Sequence, residues 1–229
     1  MAALIKAAQD PAYPAEIVLV ISNRPDAVGL EFAKAAGVPT EVIDNRNFGS
    51  DRKKFESKIQ AILESYNVQF ICLAGFMRLL TPWFVSQWKN KILNIHPALL
   101  PAFKGLHTHE RAIAEKAAIH GASVHFVTPE MDSGPILARV PIHIRRNDTP
   151  ETLGLRVLKI EHRIYPAALK LVAQRRVTIE GGYCFVDGRK INGRVLFYMH
   201  DNKKVVLKGP KAFKFINMSR KQSRKQAAA

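Results

Sequence analysis

The stretch "EIVLVISNRPDAVGLEFAKAAGVPTEVID", residues 16–44, contains the pattern that decides the fold. Its first part, Glu16–Ser22, is rich in β-branched apolar residues, which is typical of a buried strand. Pro25–Gly37 has proline near its start and glycine at its end, which is typical of a helix. Val38–Asp44 is predicted as the next strand. A strand, a helix and a second strand in this order predict an α/β unit with parallel strands.

The same alternation extends in both directions. We predict helices over Ala2–Gln9, Ser50–Tyr66, Thr81–Trp88, His107–Gly121 and Thr149–Gln174, strands over Val68–Phe76, Lys91–His96, Ala122–Thr128 and Gly134–Ile144, and a hairpin over Val177–Ile191. Regular alternation of this kind predicts an α/β fold with a doubly wound, mostly parallel sheet. The two late strands add an antiparallel portion, and the hairpin follows at the C-terminal end of the domain.

Composition and cysteine usage restrict the class of protein. Of the 229 residues, 47% are hydrophobic and 24% are charged, as in soluble globular proteins. No apolar run reaches the roughly 20 residues that span a bilayer, and the first residues lack a signal-peptide pattern. Cys72 lies in the apolar run "QFICLAGF", so we expect a buried thiol and a reducing, cytoplasmic location.

The positive charge is concentrated at the C-terminal end. Residues 189–229 hold twelve Lys and Arg residues and one acid, Asp201, so they carry +11 of the net charge of +16. We therefore predict a domain over residues 1–188 and a basic extension over residues 189–229 that is at least partly disordered. An arm that binds nucleic acid or a membrane surface is the alternative interpretation of this extension.

A candidate site lies in "LNIHPALLPAFKGLHTHE", residues 93–110. Asn94 and His96 are two residues apart on a predicted strand, so their side chains share one face. Pro97 ends the strand because it cannot donate to a sheet ladder. Ligands of open α/β sheets collect at the carboxyl ends of the strands. An amide there can donate to a developing oxyanion, and an imidazole can transfer a proton near neutral pH.

Asp132 is the third candidate residue, in the segment "FVTPEMDSGPIL". A carboxylate near an imidazole favours the charged ring and raises its pKa. Asn94, His96 and Asp132 together would form an acyl-transfer site in which the amine of the substrate is the nucleophile. Taken alone, each is more typical of an ordinary structural residue: Asn94 and Asp132 of turns, and His96 of a polar group satisfied by hydrogen bonds. The sequence has no Gly-x-Ser-x-Gly motif and no catalytic cysteine pattern that would indicate a nucleophilic side chain instead. It also has no cluster of residues with clear metal-ligand spacing.

The segments "NIHPALLPAFKGLHTHERAI" and "GASVHFVTPEMDSGPIL" resemble the folate-dependent phosphoribosylglycinamide formyltransferases. The resemblance covers Ala2–Asp187. The wider superfamily shares the Asn-x-His pair, the Leu-Leu-Pro and the Asp-x-Gly-Pro element, whereas "GLHTH" and "SVHFVT" favour the glycinamide branch. The resemblance implies a Rossmann-like formyltransferase fold. It also implies transfer of the formyl group of 10-formyltetrahydrofolate to the amine of 5-phosphoribosylglycinamide in de novo purine (IMP) biosynthesis.

The resemblance also implies residue roles. Asn94 would hold the formyl oxygen, His96 would transfer the proton, and Asp132 would raise the pKa of His96. The folate-binding residues would be Arg52, Met77, Arg78, Leu79, Leu80, Asn94, Thr128, Pro129, Glu130, Met131 and Asp132, with Arg52 at the glutamate tail. Glu161 would contact the glycinamide substrate. The implied partners are small molecules, no metal is implied, and the chain would be a monomer or a homodimer.

One departure from the resemblance concerns the first strand. The family begins with a strand and a Gly-x-Gly-Ser-Asn loop that holds the substrate phosphate, whereas Met1 stands where that loop should enter the first helix. We therefore expect a sheet without its central strand, poor folding and little activity for the chain as written. A formyltetrahydrofolate deformylase or another folate-dependent formyltransferase is an alternative. A nucleic-acid-associated protein that uses the basic extension is an alternative of a different class.

Overall fold

A computed structural model describes residues 1–191 and the backbone of Phe213–Ser219. The helices are α1 (Ala2–Ala8), α2 (Val28–Ala35), α3 (Arg52–Ser65), α4 (Pro82–Gln87), α5 (Thr108–Ala114) and α6 (Pro150–Ala173), and a 3-10 helix covers Asn45–Phe48. The strands are β1 (Ala15–Ser22), β2 (Thr40–Val42), β3 (Phe70–Ala74), β4 (Ile92–His96), β5 (Ile119–Phe126), β6 (Ile136–His143), β7 (Val177–Glu180), β8 (Tyr183–Val186), β9 (Arg189–Lys190) and β10 (Phe213–Ser219).

The main sheet has seven strands in the order β2-β1-β10-β3-β4-β5-β6. The first five strands in this order are parallel, and β5 and β6 are antiparallel to their neighbours. Strands β7, β8 and β9 form a separate antiparallel sheet. The prediction of a mostly parallel sheet with an antiparallel portion and a hairpin is confirmed. None of the helices among the described residues is long and apolar enough to cross a membrane.

Side chains of the central strands alternate between two apolar clusters. On β3, Phe70, Cys72 and Ala74 belong to a cluster that includes residues of α1 and α6. Ile71 and Leu73 belong to a second cluster, which includes residues of α3 and α4. The period of two along a strand sends alternate residues to opposite faces, and here both faces are covered by helices. This explains why β3 is apolar at every position.

Strand β10 lies between β1 and β3, in the middle of the sheet. Ser219 is in register with Ser22 on one side and with Ala74 on the other. The position that the resemblance leaves without a strand is therefore occupied by a segment of the C-terminal extension. The expectation of a sheet without its central strand is wrong for this structure. The remainder of the extension beyond residue 191 lies outside the described residues, so its disorder and the domain boundary stay predictions.

The predicted helix over His107–Gly121 is too long. Helix α5 ends at Ala114, Lys116 has a left-handed φ of 51°, and β5 begins at Ile119. Gly121, the last residue of the predicted helix, lies in β5 instead. A Cβ there would lie 2.1 Å from the backbone oxygen of Val140, so this glycine permits the close approach of β5 and β6. The end of this segment is therefore a strand despite its helical composition, because β5 pairs with β4 and β6.

Candidate active site

Asn94 on β4 lies directly opposite His125 on β5. Its Nδ2 atom is 3.2 Å from His125 Nε2, and His125 Nδ1 is 2.9 Å from the carbonyl oxygen of Phe126. A carbonyl can only accept, so His125 carries its proton on Nδ1, and its Nε2 accepts from the amide of Asn94. One N–H of Asn94 is used in this way. The second N–H can be donated to a ligand.

His96 is 5% exposed and is held from both sides of its ring. Its Nε2 lies 2.9 Å from the carbonyl oxygen of Phe103, so this nitrogen carries a proton and donates it. Its Nδ1 lies 3.5 Å from Asp132 Oδ2, which is longer than an ordinary hydrogen bond. Nδ1 is therefore the nitrogen that can exchange a proton with a bound molecule.

Asp132 reaches the same place from the loop between β5 and β6. Its Oδ2 accepts from the backbone N–H of Gly105 at 2.9 Å, and its Oδ1 is 3.6 Å from His125 Nε2. The loop folds back closely, because a Cβ at Gly134 would lie 1.9 Å from the carbonyl oxygen of Phe126. The structure thus brings Asn94, His96 and Asp132 together, as the sequence pattern predicts.

Opposing effects act on the pKa of His96. Burial lowers the pKa of His96, and it outweighs the charge of Asp132 and the hydrogen bond to Phe103, which raise it. Burial alone would raise the pKa of Asp132, but the hydrogen bond from the Gly105 amide and the neighbouring His96 hold that pKa below its usual value. Asp132 acts on His96 in the predicted direction. The pKa of His96 nevertheless lies below its usual value in the protein without ligand, because desolvation disfavours the charged ring.

The loop between β4 and α5 supplies the backbone atoms that hold His96 and Asp132. Phe103 and Gly105 both have positive φ values, 54° and 80°. The buried hydroxyl of Ser123 accepts from the N–H of Leu100 at 3.0 Å and donates to the carbonyl of Ala98 at 2.6 Å. Hydrogen bonds from a buried strand therefore anchor the loop beside the site.

The segment after β3 presents apolar side chains to solvent. Met77 is 52% exposed and Leu79 is 54% exposed, whereas Leu80 is buried in the cluster beneath α3 and α4. Exposed apolar side chains beside a polar site are suited to contact a ring system. The side chain of Leu80 packs in the core, so any contact of Leu80 with folate would involve its backbone.

Helix α3 fixes this segment in place. The Arg52 guanidinium donates to the carbonyl oxygen of Leu79, and the Arg78 guanidinium lies 5.4 Å from the centre of the Phe55 ring. The buried carboxylate of Glu56 accepts from the backbone N–H of Thr81 at 2.7 Å and from its hydroxyl. Arg52 is thus tied to the predicted folate segment, and the predicted contact with a glutamate tail stays a prediction.

The loop that carries Asp132 is exposed along most of its predicted folate-binding part. Pro129, Glu130 and Met131 are exposed, and the Thr128 hydroxyl donates to the carbonyl of Glu130 at 3.3 Å. The end of the Met131 side chain would lie 3.4 Å from a Cβ placed on Gly105. These residues border the site, and their contacts with folate stay predictions.

Glu161 lies on α6, on the helix that packs under the central strands. One turn later on that helix, the Tyr165 hydroxyl lies 2.8 Å from the carbonyl oxygen of Leu73 and 2.9 Å from that of Leu93. Burial raises the pKa of Glu161 to about 7, although the amino group of Met1 acts in the opposite direction. A carboxyl group with such a pKa can change its charge near neutral pH, which is common at functional sites.

His125 is a site residue to which the sequence analysis assigns no role. His125 is part of the quoted "SVHFVT" segment, and only its ladder position opposite Asn94 identifies it as a site residue. Sequence reasoning missed it because strand register is a tertiary property.

Among residues 1–191 and 213–219, no group of three His, Cys, Asp or Glu residues is arranged to hold a metal ion.

Fold and site together define an α/β protein with an amide, an imidazole and a carboxylate at one strand edge. Residues 1–169 match the formyl transferase family, and the chain belongs to this family.

Several relatives act in purine biosynthesis according to their names. The chain is 47% identical over 177 residues to the trifunctional purine biosynthetic protein adenosine-3 of Gallus gallus, a match that covers 77% of this chain and 18% of that protein. It is 36% identical over 189 residues to the phosphoribosylglycinamide formyltransferase of Escherichia coli, covering 82% of this chain and 89% of that enzyme. The structure of the phosphoribosylglycinamide formyltransferase of Coxiella burnetii is similar with a TM-score of 0.79 and 44% identity, covering 84% of this chain and 90% of that one.

Proposed function

We propose that this chain transfers the formyl group of 10-formyltetrahydrofolate to the amine of 5-phosphoribosylglycinamide, a step of de novo purine (IMP) biosynthesis. The observation that carries the proposal is the convergence of Asn94, His96 and Asp132, with the 3.5 Å contact between His96 Nδ1 and Asp132. The similarity to phosphoribosylglycinamide formyltransferases over most of the chain supports this choice of acceptor.

The first step is attack of the uncharged acceptor amine on the formyl carbon. A C–N bond forms, and the electrons of the carbonyl π bond move to the formyl oxygen. The second N–H of Asn94 and the protonated Nδ1 of His96 donate to this oxyanion. Donors aimed at the developing charge lower the barrier because they need no reorganisation during the reaction.

The second step is collapse of the tetrahedral intermediate. The acceptor nitrogen loses a proton, N10 of the folate gains one, and the bond between the formyl carbon and N10 breaks. The products are the formylated acceptor and tetrahydrofolate. His96 Nδ1 can give its proton to N10 and then accept the proton that the acceptor nitrogen loses, which restores its protonated form. Asp132 favours the charged form of His96 and thereby opposes the effect of burial.

The residues around this centre are proposed to bind the two substrates. Met77, Leu79 and Met131 offer apolar contacts for the folate ring, and Arg52 offers a charge for its glutamate tail. Glu161 is proposed to contact the glycinamide substrate. The cysteines Cys72 and Cys184 are both buried and free, which supports the cytoplasmic location that we propose.

The test is a formylation assay with the purified chain, 10-formyltetrahydrofolate and 5-phosphoribosylglycinamide, in which the formylated product is quantified by mass spectrometry. Asn94→Ala and His96→Ala should each reduce kcat by about 10²–10³ with an unchanged circular dichroism spectrum. A reaction without acceptor measures formate release, which would be the main activity of a deformylase. Full turnover by either variant, or formate release at the rate of formyl transfer, would contradict the proposal.

A further inference from the structure

We propose that His109 and His120 are positioning residues that hold Phe103 so that its carbonyl oxygen orients the catalytic ring of His96. The role of His96 in formyl transfer rests on the function proposed above. His109 and His120 themselves have no part in that mechanism.

The two histidines form a buried pair beside the loop that follows β4. His120 is 0% exposed, and its Nε2 lies 3.0 Å from His109 Nδ1. The ring of His120 meets the ring of Phe103 edge to face, with centroids 5.7 Å apart and an interplanar angle of 76°. The pair therefore contacts the same residue whose carbonyl accepts from His96 Nε2 at 2.9 Å.

Phe103 needs such support because of its backbone conformation. Its φ of 54° is in the left-handed region, which a bulky residue adopts only when its surroundings impose it. The Arg111 guanidinium lies 5.6 Å from the centre of the Phe103 ring and donates to the carbonyl of Lys104 at 2.8 Å. His120 contacts the ring as well, so the side chain of Phe103 is held by two residues.

Helix α6 supports the pair from the outside. A Cβ at Gly154 would lie 3.2 Å from Cδ2 of His109, so the absence of a side chain at this position allows the helix to approach the ring closely. A chain of contacts thus runs from α6 through His109, His120 and Phe103 to His96. Two apolar residues could fill this space without burying polar atoms, so the presence of two imidazoles calls for a reason beyond packing.

The charge state of the pair is compatible with a protonated His96. Burial, together with the neighbouring His109, lowers the pKa of His120 to about 4, and burial also lowers the pKa of His109. Both rings are therefore neutral at pH 7, and one can donate while the other accepts. A charged pair in this position would repel the imidazolium form of His96.

The decisive variant is His120→Leu, which removes both the ring contact with Phe103 and the hydrogen bond to His109. We expect kcat for formyl transfer to fall about 10-fold to 100-fold, because small misplacements of a catalytic group have effects of this size. Both KM values should stay close to those of the unchanged chain. His120→Phe, which keeps the edge-to-face contact but loses the hydrogen bond to His109, should recover kcat only in part. His143→Gln, an exposed histidine on β6, is the matched control.

The second readout is the pKa of His96, followed by NMR without substrates. The hydrogen bond to Phe103 favours the protonated ring, so its loosening in His120→Leu should lower that pKa. The other titratable or charged groups that act on His96 are Asp132, His125 and Arg111, which the variant leaves in place. His109 and His120 also interact with His96, but a charge on His120 would lower the pKa of His96, so its removal cannot produce the expected decrease. This measurement needs no formyl acceptor. It therefore separates a failure of this proposal from a failure of the proposed function.

An unchanged kcat together with an unchanged pKa of His96 would overturn the proposal, and so would an equal loss in His143→Gln. If His120→Leu does not fold, His109→Leu at a partly buried position on α5 serves as the second variant. It breaks the same pair, and the same two readouts apply with the same expected directions.

Discussion

At the scale of single residues, the effect of Asp132 on the pKa of His96 can be tested with one substitution. Its carboxylate raises the pKa of His96 against the larger effect of burial. Asp132→Asn should therefore lower the pKa of His96, and the limb of the pH–rate profile where His96 loses its proton should move to lower pH. The rate loss should be larger at pH 8 than at pH 6. Asp187→Asn, in an exposed ion pair, is the control, and an unchanged profile would remove this role of Asp132.

A second prediction at this scale concerns the contribution of Glu161 to the pH dependence of folding stability. Burial raises its pKa in the folded protein to about 7 from the ordinary glutamate value of 4.5. Between these values the folded state binds more protons than the unfolded state, so the contribution of Glu161 to stability is lost as pH rises towards 7. The slope is at most about 1.4 kcal/mol per pH unit. Urea unfolding of Glu161→Gln should lack this decrease. An unaltered pH dependence, or the same change in the exposed control Glu180→Gln, would contradict it.

At the scale of elements, the attachment of α4 to α3 fixes the segment beside the site. Glu56 is 1% exposed, and its carboxylate accepts from the N–H and the hydroxyl of Thr81, which caps α4. Glu56→Ala leaves both donors buried without this acceptor and should cost about 1–3 kcal/mol of stability in urea unfolding. It should also raise KM for 10-formyltetrahydrofolate more than it changes kcat. Glu64→Ala, exposed on the same helix, should change neither quantity appreciably.

At the scale of the whole molecule, β10 joins the two parts of the sheet. It pairs with β1 on one side and β3 on the other, so both edges of β10 form ladder hydrogen bonds. Ile216→Pro removes a ladder N–H in the middle of this strand and should lower stability by about 1–3 kcal/mol, measured as a lower urea midpoint. Ile216→Val keeps strand propensity and serves as the control. Equal midpoints for both variants would show that β10 does not contribute to the stability of the sheet.

The sequence by itself determined the α/β class and pointed to Asn94, His96 and Asp132 as the proposed catalytic trio. Local patterns suffice for these, because the succession of strand and helix signals and the spacing of Asn94 and His96 can be read from short segments of the chain. The identity of Asp132 followed from its turn context and from the resemblance of the surrounding segments.

Only the tertiary structure decided which groups act on that trio. The pairing of His125 with Asn94, the carbonyl of Phe103 at His96 and the His109–His120 pair all depend on contacts between segments far apart or on strand register. The end of α5 and the position of β10 depend on strand pairing in the same way. The net pKa of His96 was also beyond the sequence, because burial is a property of the assembled molecule and here outweighs the charge of a neighbour.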